Sequence, residues 1–398
     1  MADTKISAGA DPVTLVGTDK VPVARSASTT AYAATMTEVA AFAGTGRAPL
    51  ASPVFTGDPQ APQPPVGDSD ASIATTQFVT AAVATALHDV GRNLIHNSMF
   101  NIAQRGAGPF ATLGTYTLDR WLLFGATDAA SILQVALGDG GRAAIGDEEA
   151  RLGLQNTFTG NAAAGAFHRI DQRIENVSRL AGKTVTISFY ASTSSGTPKL
   201  GLNMTQSFGT GGSPSAAVQA LATGNSVTLS TTWTRYSSTI ALPSVAGKTL
   251  GTNNDSYTAL SIYFSSGATA NAGAGNIGVQ SGTVNIWGVQ LELGPTATPL
   301  EKLDPVTQLQ QCQRFFQTGF AGMSSYSTPG VSIQHILLFP VRMRAVPGTF
   351  TTSGVSQSNC TGASIGAWGD ASSYAVSATV TATAAANFNF GWTASADL

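Results

Sequence analysis

The clearest pattern along the chain is an alternation of apolar and polar positions within residues 92–302. Val185, Ile187 and Phe189 alternate with threonine and serine, and residues 260–264 repeat the pattern. Successive side chains of a strand point to opposite faces, so this alternation predicts half-buried strands. Many short strands separated by Gly- and Ser-rich turns over about 200 residues predict a jelly-roll β-sandwich.

Near the end of this region the alternation changes phase. The apolar residues before the change are Val284 and Ile286, and those after it are Trp287, Val289, Leu291 and Leu293. One extra residue in a strand turns all later side chains to the other face. The sequence therefore predicts a β-bulge at residues 286–288.

A connecting helix is predicted within residues 303–318. Asp304 suits the N-cap position and Pro305 the first helical position. The apolar residues expected near one face are Val306, Leu309, Cys312 and Phe316.

Residues 319–398 return to a β-pattern and are predicted to form a second, C-terminal β-sandwich. The continuous apolar run at residues 336–339 predicts a buried strand. Phe388, Phe390 and Trp392 alternate in the expected last strand. About 80 residues is small for a sandwich that folds alone, so this pattern also favours oligomerisation.

The N-terminal part divides into a small module and a linker. Residues 1–45 carry a short strand and a capping box at Thr35 and Glu38, which begins a short helix. Residues 46–91 open with five prolines between Pro53 and Pro65, which predict a stiff extended spacer.

A helix is predicted to follow the spacer, from Thr75 or Thr76 to about Val90. Its apolar residues, close to an a/d spacing, are Val79, Val83, Leu87 and Val90. Parallel copies would bury this stripe in a short coiled coil. The alternative is a helix that packs on its own domain.

The amino-acid composition limits the classes of protein to which the chain can belong. Only 11% of residues are charged, against about 25% in ordinary globular proteins. A net charge of −2 gives no basic surface for nucleic acid. Cys312 and Cys360 are expected to be free thiols, which fits folding in a reducing cytoplasm. With no signal peptide and no membrane-length apolar run, we expect a soluble protein without membrane insertion.

The sequence offers no evident catalytic, metal or cofactor site. Its four histidines are dispersed, and no metalloprotease, CxxC or nucleophile-elbow motif occurs. Asp119, in YTLDRW, is expected to form a structural ion pair with Arg120. The run GDEEA, with Asp147, Glu148 and Glu149, is expected to be a solvated turn. A calcium site formed by Asp139 and Asp147 remains an alternative, because calcium prefers oxygen ligands.

Exposed aromatic residues are the remaining candidates for binding. Trp121, Trp233 and Trp287 lie near strand patterns and are expected in the core. Trp368 has a turn-like setting between glycines, and with Asp370 and Tyr374 it is a candidate ligand-binding site; Tyr326, in GMSSYSTPG, is the fourth candidate. The alternative for Trp368 is a loop anchor between subunits.

Several stretches resemble one family in the same order. APLASPVFTGDPQAPQPPVGDSDASIATTQFV resembles a linker motif of tailed-bacteriophage tail fibre proteins. NLIHNSMFNIAQRG, YTLDRW, RIENVSRLAGKTVTISFYAS and VNIWGVQLELGPTATPLE look like parts of a carbohydrate-binding-module-like jelly roll found in such fibres. KISAGADPVTLVGTDKVPVAR is similar to small virion-attachment modules, and DPVTQLQQCQRFFQ to the helix after the jelly roll.

The resemblance implies an elongated homotrimer in the virion tail, made in the host cytoplasm. Its N-terminus would attach to a tail or baseplate protein, and its distal β-domains would bind a host surface glycan or an outer-membrane receptor. The expected segments are an attachment module at 1–45, a linker with a trimeric helix at 46–91, the jelly roll at 92–302, the helix at 303–318 and the tip at 319–398. The alternatives are an adaptor that carries a separate adhesin and a glycan-cleaving tailspike enzyme.

Overall fold

The computed structural model describes residues 20–23, 32–35, 37, 60–62, 64, 73–79 and 91–398. Its secondary structure is 48% strand and 8% helix, which confirms the predicted mainly-β class. The chain divides into two compact units, Met1–Ala84 and Thr85–Leu398.

Among its described residues, the first unit contains one hairpin, a helical residue at Thr37 and the start of a second helix at residues 76–79. β1 (Lys20–Val23) pairs antiparallel with β2 (Tyr32–Thr35). Residues 76–79 are helical, and the Thr75 hydroxyl accepts a hydrogen bond from the Phe78 N–H at 3.1 Å, as a cap does. Glu38, most of the proline-rich spacer and the apolar seam beyond Val79 lie outside the described residues.

The second unit begins with a sandwich of two antiparallel sheets. The six-stranded sheet has the order β10 (Val218–Thr228), β9 (Lys199–Ser207), β12 (Tyr257–Ser266), β7 (Phe167–Glu175), β4 (Leu122–Ala126), β3 (Thr115–Tyr116). The five-stranded sheet has the order β11 (Thr234–Ala241), β8 (Thr184–Thr193), β13 (Ser281–Leu293), β6 (Leu152–Thr159), β5 (Ala129–Ala136). Helix α1 (Gly138–Ile145) follows β5, and a 3₁₀ turn (Val177–Arg179) follows β7.

Alternate residues of the facing strands fill the core between these sheets. Val185, Ile187 and Phe189 of β8 are fully buried there, as the alternation predicts. Trp121 also lies in this core, which confirms its predicted burial. Trp233 is only half-buried, because it precedes β11 and packs against a smaller cluster outside the main core.

A β-bulge interrupts β13 where the sequence changes phase. The register against β8 shifts between Trp287 and Gln290, and Gly288 has φ of +64°. The bulge keeps Ile286 and Val289 both in the main core. Trp287 is buried as expected. The prediction that it shares a face of the strand with Val289 is wrong, because Trp287 packs in the smaller cluster on the opposite side of the sheet.

Helix α2 (Pro305–Gln313) begins at the predicted cap. The Asp304 carboxylate accepts hydrogen bonds from the Val306 and Thr307 N–H groups at 2.9 and 3.1 Å. The predicted apolar face is confirmed for Cys312 and Phe316, which are buried, and is wrong for Val306, which is 64% exposed. Gln308 is the other buried residue of α2.

The chain ends in a smaller sandwich of two three-stranded sheets. One has the order β14 (Phe316–Ser327), β19 (Ala384–Ser395), β16 (Thr349–Ser358), and the other β15 (Ser332–Leu338), β18 (Ser373–Val380), β17 (Cys360–Ala367). Phe388, Phe390 and Trp392 of β19 point into its core, as predicted. Cys312 and Cys360 are both free and buried.

The apolar run at residues 336–339 does not form a buried strand, and this prediction is wrong. β15 is an edge strand, and its pairing with β18 leaves one face of the sheet uncovered. Ile336 and Leu338 on that face are 46% and 74% exposed, whereas Phe339 is buried.

The two sandwiches are joined by an arrangement that we call the Asp397 clasp, formed by Arg105, Arg120, Phe315, Phe316 and Asp397. The Arg120 guanidinium carbon lies 3.3 Å from the Phe315 ring centroid, and that of Arg105 lies 3.6 Å from the Phe316 centroid. The Asp397 carboxylate forms ion pairs with both arginines. All three charged side chains are at least 87% buried.

Further polar contacts extend the clasp along the junction. The Arg314 guanidinium donates two hydrogen bonds of 3.0 Å to the Glu175 carboxylate. The Tyr116 hydroxyl donates to the Leu398 main-chain oxygen at 3.0 Å. These contacts tie β3 and β7 of the large sandwich to the residues that flank the small one.

A second buried polar group is His168, inside the large sandwich. Its Nδ1 lies 3.5 Å from Asp128 Oδ2, its Nε2 lies 3.0 Å from Asn156 Nδ2, and its ring stacks on Phe264. Burial lowers the pKa of His168, and Asp128 only partly opposes this effect. The imidazole is therefore neutral in the folded protein at neutral pH.

We predict that Asp397→Asn weakens the folded state by about 3 kcal/mol, because it leaves two buried guanidinium groups without a counter-charge. Asp139→Asn is the matched control, since Asp139 is 94% exposed in its pair with Arg142. This substitution should lower the free energy of unfolding by less than about 0.5 kcal/mol. Urea unfolding of both variants measures the difference. Equal effects would contradict the importance of the clasp.

We also predict that His168 makes the protein less stable as the pH falls below 6.5. The unfolded imidazole binds a proton there and the folded one does not, so the loss approaches about 1.4 kcal/mol per pH unit. His168→Gln should reduce this slope in urea unfolding between pH 7.5 and 5. His335→Gln, at an exposed histidine, should leave it unchanged; an unchanged slope in both variants would refute the prediction.

Candidate glycan-binding surface

Two of the four predicted site residues lie in the loop between β17 and β18. Trp368 is 44% exposed, and Asp370 is also exposed. The Asp370 carboxylate accepts a hydrogen bond from the Ser372 N–H at 2.8 Å. Its bond with the Ser372 hydroxyl lowers the pKa of Asp370. The Trp368 carbonyl accepts from the Ser373 hydroxyl, so the loop is held at both ends.

The other two predicted residues lie elsewhere. Tyr374 is only 6% exposed, because it shares the inward face of β18 with Val376. Its ring lies 4.8 Å from Phe339 and 4.9 Å from Trp392, between ring centroids. Its prediction as a surface contact is wrong. Tyr326 is 74% exposed but belongs to β14, in the other sheet, so the structure does not bring it together with Trp368.

An exposed apolar surface surrounds Trp368 on the outer face of the β15–β18–β17 sheet. Leu338 pairs with Ser373 and Ile336 with Ala375, which in turn pairs with Gly366. The Trp368 N–H continues the β17 ladder to the Ser373 carbonyl at 3.4 Å. We call this surface the tip patch; its exposed members are Ile336, Leu338 and Trp368, and the half-buried Gly366 and Ser373 and the buried Ala375 lie between them.

The tip patch has small residues in its middle and polar groups at its border. Glycine, serine and alanine stand between the larger side chains, so nothing bulky separates Leu338 from Trp368. The Ser364 and Ser377 hydroxyls hydrogen-bond each other at 3.2 Å on the same face. At the loop, an Arg342 guanidinium nitrogen lies 3.8 Å from an Asp370 carboxylate oxygen, and both side chains are mostly exposed.

Ile336 and Leu338 are surface residues that the apolar run at residues 336–339 does not predict. The signal that reveals them is the phase of β15, in which Ile333 and Leu337 point inward. Alternation from Ile333 then places residues 336 and 338 outward. The continuous apolar run hid this phase.

The outer face of the six-stranded sheet offers a second surface with aromatic residues. Here, however, arginine side chains lie over the rings. The Arg169 guanidinium carbon is 4.8 to 5.5 Å from the ring centroids of Phe124, Phe167 and Tyr263. Arg173 covers Tyr257 in the same way, at 4.7 Å. These aromatic faces are therefore occupied by the protein's own cations.

The middle of this second surface is also closed. The Asn203 side-chain amide donates to the Gly273 carbonyl at 2.6 Å, which holds the loop after β12 over the sheet. A Cβ atom on Gly201 would lie 1.9 Å from the Ala274 carbonyl oxygen, so only glycine allows this approach. Beneath it, burial raises the pKa of Asp171, and the Arg169 ion pair opposes the rise.

The carboxylates considered as catalytic or calcium-binding groups serve other contacts. Asp119 accepts hydrogen bonds from the Gln104 N–H and side-chain amide, both at 2.6 Å, and no ion pair to Arg120 forms, so that prediction is wrong. Asp147 pairs with Lys302 at 2.8 Å, and Asp139 with Arg142.

The GDEEA run forms a turn in which Glu148 and Glu149 are largely exposed. Within the described part of the chain, no three His, Cys, Asp or Glu side chains converge as a metal site requires. Among the same residues, no helix is both long and apolar enough to cross a membrane.

Comparison with known proteins assigns no family. No protein-family model matches the sequence, and no curated protein matches it. Among solved structures, a family 11 carbohydrate-binding module of Clostridium thermocellum is 12% identical, with 48% of this chain and 98% of the module covered and a TM-score of 0.29. A CBM22-1 xylan-binding domain of Paenibacillus barcinonensis is 14% identical, with coverages of 52% and 97% and a TM-score of 0.29.

The enzymatically active domain of tailspike protein 4 of bacteriophage CBA120 is also similar. It is 11% identical, with 51% of this chain and 22% of the tailspike chain covered and a TM-score of 0.27. TM-scores this low establish neither a family nor a ligand for the chain.

We predict that Trp368 is the tryptophan most accessible to reagents in solution. Trp121, Trp287 and Trp392 are at most 4% exposed, so N-bromosuccinimide should oxidise Trp368 first. Peptide mass spectrometry at low reagent excess locates the product, with Trp368→Phe as the control. Protection of Trp368 equal to that of Trp121 would instead place it in a subunit interface, as the alternative predicts.

Proposed function

We propose that the protein is a tail fibre of a tailed bacteriophage that binds a host-surface glycan through its C-terminal sandwich. The observation that carries the proposal is the location of the uncovered aromatic rings. Phe320, Tyr326 and Trp368 are the exposed aromatic side chains of the described residues, and all three lie within residues 319–398.

The chemistry of the tip patch supports a sugar as the ligand. An indole face packs against the C–H groups of a sugar ring, while neighbouring polar groups fix the orientation of the ring. The patch places Trp368 beside the Ser373 hydroxyl and near Asp370 and Arg342. On the jelly roll, by contrast, arginines already occupy the aromatic faces.

The family resemblance of the N-terminal 91 residues supplies the rest of the proposal. The proline-rich spacer and the apolar seam after it suit an elongated homotrimer that attaches to a tail or baseplate protein. Three copies of a weak site gain avidity on a glycan-coated surface without high affinity at each site. The proposed location is the virion, after synthesis in the host cytoplasm.

Two other roles remain as outcomes of the test. An adaptor that carries a separate adhesin would attach to the tail but would not bind cells by itself. A glycan-cleaving fibre would release sugar from host polysaccharide, and we propose instead that the protein is not an enzyme. The carboxylates considered for catalysis hold structural contacts in the described chain.

We predict that Trp368→Ala reduces binding of the purified full chain to host cells at least tenfold. Loss of one sugar–aromatic stacking contact at each of three sites, amplified by avidity, is sufficient for this effect. Flow cytometry of labelled protein on candidate host strains measures it. Point variants are preferable to truncation at Thr318, because truncation removes Asp397, the counter-charge of Arg105 and Arg120.

The matched control is Phe320→Ala, which removes an exposed aromatic ring from the outer face of the other sheet. It should leave cell binding unchanged. Sedimentation equilibrium must show the same oligomer, expected to be a trimer, for all three proteins. Binding by none of them as intact trimers would favour the adaptor, and loss with Phe320→Ala alone would move the site to the opposite face.

A further inference from the structure

A small cavity lies at the junction of the two sandwiches, next to the Asp397 clasp. Its volume is about 30 Å³, and its walls include His96, Arg120, Arg173, Arg179 and Phe315. The first four residues belong to the large sandwich, and Phe315 precedes the first strand of the small one. The cavity is therefore bounded by both.

Three buried nitrogen atoms of the lining residues lack a hydrogen-bond partner. They are His96 Nδ1, Arg120 Nε and Arg173 Nε. The other groups of the Arg120 side chain are occupied: one terminal nitrogen faces Asp397 and the other donates to the Arg173 carbonyl. A buried donor without an acceptor costs about 1–3 kcal/mol. An acceptor bound in the cavity would therefore stabilise these residues.

The charges around the cavity are unbalanced. Four guanidinium groups, those of Arg120, Arg173, Arg179 and Arg314, lie in or beside the wall, against two carboxylates. Arg314 binds the Glu175 carboxylate through two nitrogens, and Asp397 pairs with Arg120. Arg173 also donates a hydrogen bond to the Leu398 main-chain oxygen. Burial, aided by Arg120, Arg179 and Arg314, lowers the pKa of His96 to about 3. His96 is then neutral at physiological pH and can donate through Nδ1.

We propose that this junction cavity binds one small inorganic anion of the halide class, held by His96, Arg120 and Arg173. A water molecule needs about 10–15 Å³ of such volume, so a cavity of about 30 Å³ admits a monatomic ion. It excludes sulfate, phosphate and sugar carboxylates. This site is separate from the tip patch and does not rest on the proposed function.

The anion would act on the attachment of the small sandwich. A ligand that binds the folded state alone stabilises it according to its concentration and dissociation constant. Because the cavity adjoins Arg120 and Phe315, an anion there would screen the arginines of the clasp. Halide binding would therefore hold the tip more firmly on the jelly roll.

The test uses the full chain, with thermal unfolding followed in sodium chloride, bromide or gluconate at matched ionic strength. We expect the melting temperature to rise by several degrees in chloride and bromide over gluconate, and the rise to saturate. A bromide-soaked crystal should show one anomalous peak between Arg120 and Arg173. No anion-specific shift together with no peak would overturn the proposal and leave water in the cavity.

Arg173→Gln tests the assignment, because it removes one charge and one Nε donor from the wall. The halide-dependent rise should fall at least twofold, whatever the variant's melting temperature in gluconate. Arg151→Gln, at an exposed arginine away from this cavity, should keep the full rise. An equal halide response in both variants would show that the ion binds elsewhere and would refute the site.

Discussion

The buried charge of Asp397 is the constraint on which the arrangement of the two sandwiches depends. Arg105 and Arg120 each cover a ring of the Phe315–Phe316 pair, and neither would be stable there without a counter-charge. Asp397 supplies it from the end of the last strand, 292 residues from Arg105. The small sandwich therefore meets the large one through both its first and its last strand.

This attachment explains how such a small sandwich keeps an uncovered face. Its two three-stranded sheets enclose one core, with Phe388, Phe390 and Trp392 at its centre. Domains this small bury a limited share of their apolar surface. Contacts at the junction add burial at one end, so the outer face of the β15–β18–β17 sheet can remain uncovered.

Local patterns in the sequence predict the elements well and their partners poorly. The alternation at Val185–Ile187–Phe189, the cap at Asp304 and the bulge near Gly288 are properties of neighbouring residues, and the structure contains all three. Alternation puts Ile333 and Ile336 on opposite faces of β15, but which of the two faces the core, and whether Tyr374 is buried, depend on which strands pair and which sheet is covered. These features depend on contacts between residues distant in the sequence, so the local alternation of apolar and polar residues does not predict them.

In this chain, which has few charges, the positions of the arginines determine which aromatic rings are covered. In the jelly roll, Arg169 and Arg173 lie over four rings and close that face to ligands. Residues 319–398 contain four charged side chains, of which Arg344 and Asp397 contact the junction. The other two, Arg342 and Asp370, flank Trp368. The groups beside Trp368 that can form polar contacts are therefore this one charged pair and serine hydroxyls, and the proposed binding of a glycan depends on them.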